Sequence, residues 1–151
     1  MVDLSRIVSV VEIENVRLRE AHCRAVHPSE IAKTLEVKPW HDAEVIKSGG
    51  GESLEIDVAF GLEVADADGE KEFQAEIRGT FELLYRIPAD EDFSSEELAA
   101  FAQINAVFNA WPYWREFVQT SLARMDMPVL TVPVFRIHRS DSAEDQESSA
   151  E

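Results

Sequence analysis

The sequence predicts an α+β fold in which an antiparallel sheet comes first and C-terminal helices pack on one of its faces. Three observations carry this. Apolar residues fall on alternate positions through Leu54–Val64 and again through Phe73–Ile87. From Ser94 onward the apolar period lengthens to that of a helix. Strands also precede helices instead of alternating with them, which is the order of an α+β domain. The 151 residues, 45% apolar and 29% charged, suit one soluble domain.

The elements follow in chain order. Ile7, Val10, Val11 and Ile13 fit helical spacing, whereas Val16 and Leu18 alternate with charged neighbours, which predicts a strand from about Ile13 to Arg24. Thr34–Val37 and Val45-Ile46 predict two shorter strand pieces around Pro39. Ser48-Gly49-Gly50-Gly51 reads as a flexible connector. No Lys follows it and no helix opens from it, so the pattern of a phosphate-cradling loop is missing.

The strongest signal is a long hairpin. Leu54, Ile56, Val58, Phe60, Leu62 and Val64 share one face, as do Phe73, Ala75, Ile77, Phe81, Leu83, Tyr85 and Ile87. Asp68-Gly69 in the connection is a hairpin-turn pair. With that pair at the centre, Val64 faces Phe73 and Phe60 faces Ile77; moving the turn to Ala67-Asp68 changes the partners and keeps the faces. Gly79 interrupts the apolar face and predicts a bulge or a close approach by another element.

In the last third, Ser94-Ser95-Glu96-Glu97 fits a capping box. Leu98, Phe101, Ile104 or Asn105, and Phe108 then follow helical spacing. Pro112 predicts the first turn of a second helix, continued by Tyr113, Phe117, Leu122 and Met125, with Trp114 and Val118 widening the stripe. Pro128 and Pro133 predict an extended apolar connector. Residues 140–151 carry five acidic residues and no basic or aromatic one, the composition of a disordered acidic tail, which leaves 1–139 as the folded domain.

Charge narrows the function. The net charge of −16 falls only to −11 without the tail, so the body itself is acidic. Phosphate backbones and anionic lipid are thereby disfavoured, and cationic partners favoured. The single Cys23 cannot form an intrachain disulfide and suits a reducing compartment. The N-terminus lacks the pattern of a secretion signal, and the longest apolar run, Leu98–Ala102, is far short of the ~20 residues of a membrane helix. A soluble cytoplasmic protein with no nucleic-acid partner and no membrane insertion is expected.

Enzymatic chemistry finds no pattern to attach to. His22, His27, His41 and His138 stand without a CxxC, HExxH or paired Cys/His module, and Cys23 has no nucleophile signature. No GxSxG elbow occurs. No metal, cofactor or catalytic residue is expected. Glu55, Asp57, Glu63, Glu72, Glu76 and Glu82 share the polar sheet face, which reads either as a solvated face or as an acidic plate for a cationic partner. The aromatic cluster Phe101, Phe108, Trp111, Tyr113, Trp114 and Phe117 reads first as core. Trp111 and Trp114 would nonetheless spread around the helices and need a second apolar surface, an interface or a groove.

Phe108–Phe135 resembles the SecB family of export chaperones. The residues that carry the resemblance are Trp111-Pro112-Tyr113, Arg115-Glu116, the turn Met125–Met127, Met127-Pro128 and the Pro133-Val134 close. The resemblance implies a four-stranded antiparallel sheet with helices on one face and a homotetramer built as a dimer of dimers through the long helices. It implies ATP-independent capture of unfolded preproteins and delivery to the translocase motor SecA. By the same resemblance the client groove falls on Trp111, Tyr113, Trp114, Met127, Leu130 and Val132, and Glu76 matches an acidic position of the family; with Glu63 and Glu72 of the polar face it makes up the expected SecA- or partner-facing acidic sheet. Two departures stand out. The first-strand acidic positions of the family match Asn15 and either Arg19 or Glu20, depending on register, and only Phe135, Ile137 and two basic residues precede the tail, so no helical flap is expected. A dedicated SecB-like chaperone of an antitoxin is the variant these departures suggest. The competing expectation is a small-molecule-binding domain with Tyr85, Trp114 and Glu76 lining a pocket between sheet and helices.

Overall fold

The computed structural model describes residues 2–47, 52–69 and 73–133. A short helix, α1 (Ser5–Val10), leads into β1 (Glu12–Ala25), and a 3-10 turn at Pro28–Glu30 leads into β2 (Leu35–Lys47). The hairpin strands are β3 (Ser53–Asp66) and β4 (Phe73–Arg86). One long helix follows, as α2 (Ser95–Phe101), a π-helical turn at Ala102–Ala106, and α3 (Val107–Arg124). The four strands form one antiparallel sheet in the order β1-β4-β3-β2, with the helix across one face, which is the SecB-like layout expected.

The alternation sorts the two faces as predicted. Leu54, Ile56, Val58, Phe60, Leu62 and Val64 of β3 and Ala75, Ile77, Phe81, Leu83 and Tyr85 of β4 are buried beneath the helix. The register differs from the expectation by two residues: Val64 pairs with Ala75, Leu62 with Ile77 and Phe60 with Gly79. Part of the difference is an irregularity at the hairpin end, where Ala65 pairs with Phe73 and the register shifts between Val64 and Ala65. Gly69 N–H donates to the Asp66 carbonyl at 3.1 Å, Gly69 takes φ +75°, and β4 starts only at Phe73. A two-residue shift preserves which side each residue faces. Gly79 marks a close approach: a Cβ there would lie 3.4 Å from the Phe117 ring.

β2 is one continuous strand, not two pieces, and Pro39 lies within it. Because β2 is an edge strand, the missing amide of Pro39 falls on the side that has no strand partner. Farther along this edge, Gln103 Nε2 donates to the Ala43 carbonyl at 2.8 Å. β1 forms the other edge, with bulges between Ile13 and Asn15 and between Leu18 and Glu20.

The capping box forms as predicted, with Ser94 Oγ accepting from Glu97 N–H at 3.1 Å and Glu97 accepting from Ser94 N–H at 3.2 Å. The stripe beyond it departs from prediction. Leu98, Ala102, Ala106, Ala110, Trp114, Val118 and Leu122, each four residues from the last, are all buried. Four residues overshoot an α-helical turn by about 40°, so such a row drifts off the sheet. The wide π turn takes up about one extra residue, about 100° of rotation, and so offsets part of that drift. Phe108 is thereby turned outward, 48% exposed, and Ile104 and Asn105 are only half-buried. Pro112 sits inside α3 rather than opening a new helix. The carbonyl it leaves without a helical partner belongs to Phe108 on the same exposed side, where water can reach it. The helix ends at Arg124, the turn beyond it places Asp126 at φ +54°, and an extended segment follows from Met127 to Pro133. The predicted acidic tail and the Phe135-Ile137 stretch lie outside the described residues.

Candidate functional site

The extended segment turns back along α3 and leaves a cavity between itself and the β2 edge. Its volume is about 240 Å³. Val37 and Pro39 of β2, Leu62 of β3, Trp111 and Trp114 of α3, and Leu130–Pro133 line it. Apart from Thr131, the lining side chains are apolar, so the cavity suits hydrophobic side chains rather than a charged or metal-bound ligand. Its volume is that of one large side chain or two small ones, on the scale of residue volumes in packed interiors.

Trp111 forms the floor. Its ring lies 5.7 Å from Phe60 and 6.1 Å from His41, both edge-on, and its Nε1 donates to the Pro133 carbonyl at 2.6 Å. Arg115, one turn later, donates from Nε to the Val132 carbonyl at 2.9 Å. Trp114 is 2% exposed and stacks on Phe60 at 5.2 Å, so it is chiefly core and shows the cavity only an edge. Of the expected groove residues, Trp111, Trp114, Leu130 and Val132 are brought together. Met127 is buried in the core instead, and Tyr113, 49% exposed, lies beside Phe81 outside this cavity. The β-strand half of the lining, Val37, Pro39 and Leu62, was not in the expected set. Pro39 at an edge was the signal that could have found it, since the strand can be broken there only where nothing pairs with it.

On the opposite sheet face the acidic residues are interleaved with cations. The register lines up Arg24, Glu76, Glu63 and Lys38 across the four strands. Glu76 receives Arg78 Nε at 3.0 Å and lies 3.8 Å from His22 Nε2. Arg17 grips both oxygens of Glu82 at 3.1 Å and holds that carboxyl below the usual carboxylate range. The bulge in β1 leaves Arg19 with no residue opposite, and its guanidinium reaches Asp57, two strands away, at 2.7 Å. Burial pushes the Asp57 carboxyl up against the pull of Arg19, with Glu82, Glu44 and Glu55 adding to the upward push. β1 thus supplies countercharges to the face that the alternation read as an acidic plate. Glu72 lies outside the described residues.

The ligand-binding set does not converge. Tyr85 is buried on the helix-facing side, where Asn109 Nδ2 donates to its hydroxyl at 2.8 Å and burial pushes the phenol up to about 12. Glu76 belongs to the other face. Among the described residues no group of three His, Cys, Asp or Glu could hold a metal ion, and no helix is long and apolar enough to cross a membrane.

No protein-family model matches the sequence, and no curated protein matches it. Among solved structures, the SecB-like chaperone Rv1957 of Mycobacterium tuberculosis, in complex with a ChAD peptide from the antitoxin HigA1 (Rv1956), matches with a TM-score of 0.78 at 19% identity. That match covers 90% of this chain and 98% of the other. The chain therefore has the SecB-like fold. A protein of unknown function from Streptococcus agalactiae matches at a TM-score of 0.47 and 11% identity, over 82% of this chain and 96% of the other.

Proposed function

We propose that this protein is an ATP-independent chaperone, a holdase that grips apolar segments of unfolded polypeptides in the cavity between β2 and the segment after α3. The observation that carries this is the cavity itself, apolar and open at the surface, on a SecB-like fold. An unfolded chain presents isolated large apolar side chains, and a site the size of one such side chain, repeated across an assembly, binds varied sequences through many weak contacts. The outward apolar side chains of the helix, Phe108 and Tyr113, support the homotetramer as that assembly, because they need a covering surface. A small-molecule site is less well supported: this cavity, at about 240 Å³, falls below the usual ligand-pocket range, and a hollow of about 370 Å³ between β2 and α2 includes none of Tyr85, Trp114 and Glu76.

The client is better read as a dedicated one, an antitoxin, than as exported preproteins at large. The solved SecB-like neighbour holds an antitoxin peptide, and delivery to SecA would need an acidic docking face that here is interleaved with Arg17, Arg19, Arg24 and Arg78. The protein would act in the cytoplasm. The test is light scattering of an unfolding client without nucleotide: aggregation should be suppressed near one tetramer per client, and Leu130→Asp or Val132→Asp should abolish the effect. Absence of suppression across several clients by folded protein would remove the proposal. Saturable SecA binding at the sheet face would restore the export reading.

A further inference from the structure

The cavity wall opposite β2 is a strap, residues 128–133, that belongs to no helix or strand. Its composition accounts for its extended course. Pro128 and Pro133 lack amide hydrogens, Val132 precedes a proline, and Val129, Thr131 and Val132 are β-branched. Among the described residues its last backbone anchor is Met127 N–H to the Leu122 carbonyl at 3.0 Å. Beyond that point two side chains of α3 fasten it, Arg115 to Val132 and Trp111 to Pro133. They are four residues apart and so lie on one side of the helix.

We propose that Arg115 and Trp111 are positioning residues that hold this strap in place, so that Leu130 and Val132 wall an open cavity before any client arrives. The inference rests on the client-binding reading of the cavity. Apolar walls that face each other across a cavity gain by closing on it, because closure removes their surface from water. The two fasteners oppose that collapse, and a site already open spares the client the cost of opening it. Arg115 is a charged donor, which makes its hydrogen bond the stronger kind. Trp111 has two separable roles: its ring lines the cavity and its N–H fastens the strap.

Trp111→Phe keeps a lining ring and deletes the donor, while Arg115→Met keeps the apolar stem and deletes the other. Each is made in the full chain. Backbone amide order parameters of Val129–Val132 are measured by NMR relaxation in the free protein, and the Kd for reduced, carboxamidomethylated lysozyme, a permanently unfolded basic probe, is measured by fluorescence anisotropy. Each variant should lower the strap order parameters and weaken probe binding about tenfold. The double variant should weaken it little further, because both bonds act on one strap. Unchanged order parameters in both variants, or wild-type probe affinity in both, overturns the proposal. If the wild-type protein binds no probe, the client reading falls, and the strap order parameters alone decide the fastening.

Discussion

Gly61→Ala should destabilise the protein only while Trp40 is present. Gly61 lies mid-strand on the outer sheet face, opposite Trp40, and a Cβ at Gly61 would overlap the indole. The ring must then leave the sheet. Trp40 is 44% exposed, so somewhat more than half of its surface is covered. A buried Trp covers up to about 250 Å², which puts the covered part near ~140 Å². At about 25 cal/mol per Å² that area corresponds to roughly 3.5 kcal/mol. Ejecting the ring forfeits about half of this, so an expected loss of about 1.5–2 kcal/mol results, less up to about 1 kcal/mol recovered because Ala suits a strand better than Gly. In a Trp40→Ala background only the recovered part remains, and Gly61→Ala should become neutral or stabilising. Urea unfolding followed by far-ultraviolet circular dichroism on the four proteins of this cycle reads both numbers. Equal costs in the two backgrounds would refute the argument, because the clash would then have nothing to do with Trp40.

Two further outcomes are expected. Gln74 is fully buried, accepts Ala32 N–H at 2.8 Å and donates to the Phe73 and Glu30 carbonyls at 3.2 and 3.4 Å, so Gln74→Leu should cost about 2–3 kcal/mol in urea unfolding and speed exchange at Ala32; a change below about 0.5 kcal/mol would contradict this. Tyr85 is raised to about 12 in the folded state by burial, which outweighs the Asn109 hydrogen bond. The folded protein therefore holds this proton more tightly than the unfolded chain. Its stabilising contribution is complete below about pH 10 and is lost as pH rises to about 12, by roughly 3 kcal/mol in all. Tyr85→Phe should flatten that slope, and an unaltered slope would reassign it.

What the sequence disclosed is what local alternation and capping determine. The faces of β3 and β4 follow from period two, and the helix start follows from Ser94 and Glu97. The register did not follow, because Asp68-Gly69 looks like a two-residue hairpin, whereas β4 begins at Phe73 and its pairing with β3 shifts between Val64 and Ala65. Pro39 concealed the continuity of β2, since only the sheet order shows that its amide faces no partner. The π turn was invisible because it is a response to packing: Ala102, Ala106 and Ala110 are too small to announce a buried row, whereas Phe108 announces one falsely. Half the cavity was legible from Trp111, Leu130 and Val132. The other half comes from Val37, Pro39 and Leu62, which meet these residues only after the sheet has formed. The counterions on the outer face were hidden in the same way, because pairing Arg19 with Asp57 needs both the bulge and the strand order.

The two rims of the sheet are unlike. Along β2 the run of outward peptide groups is broken at Pro39, which has no hydrogen to give, and again at Ala43, whose oxygen is already capped by Gln103. Along β1 the interruption is of another kind, two bulges at Ile13–Asn15 and Leu18–Glu20 that throw the outward peptide groups out of step. Neither rim therefore offers a long even row to a like sheet, and lengthening into a fibre is disfavoured from both sides, a useful property in a molecule whose proposed work is to handle sticky chains.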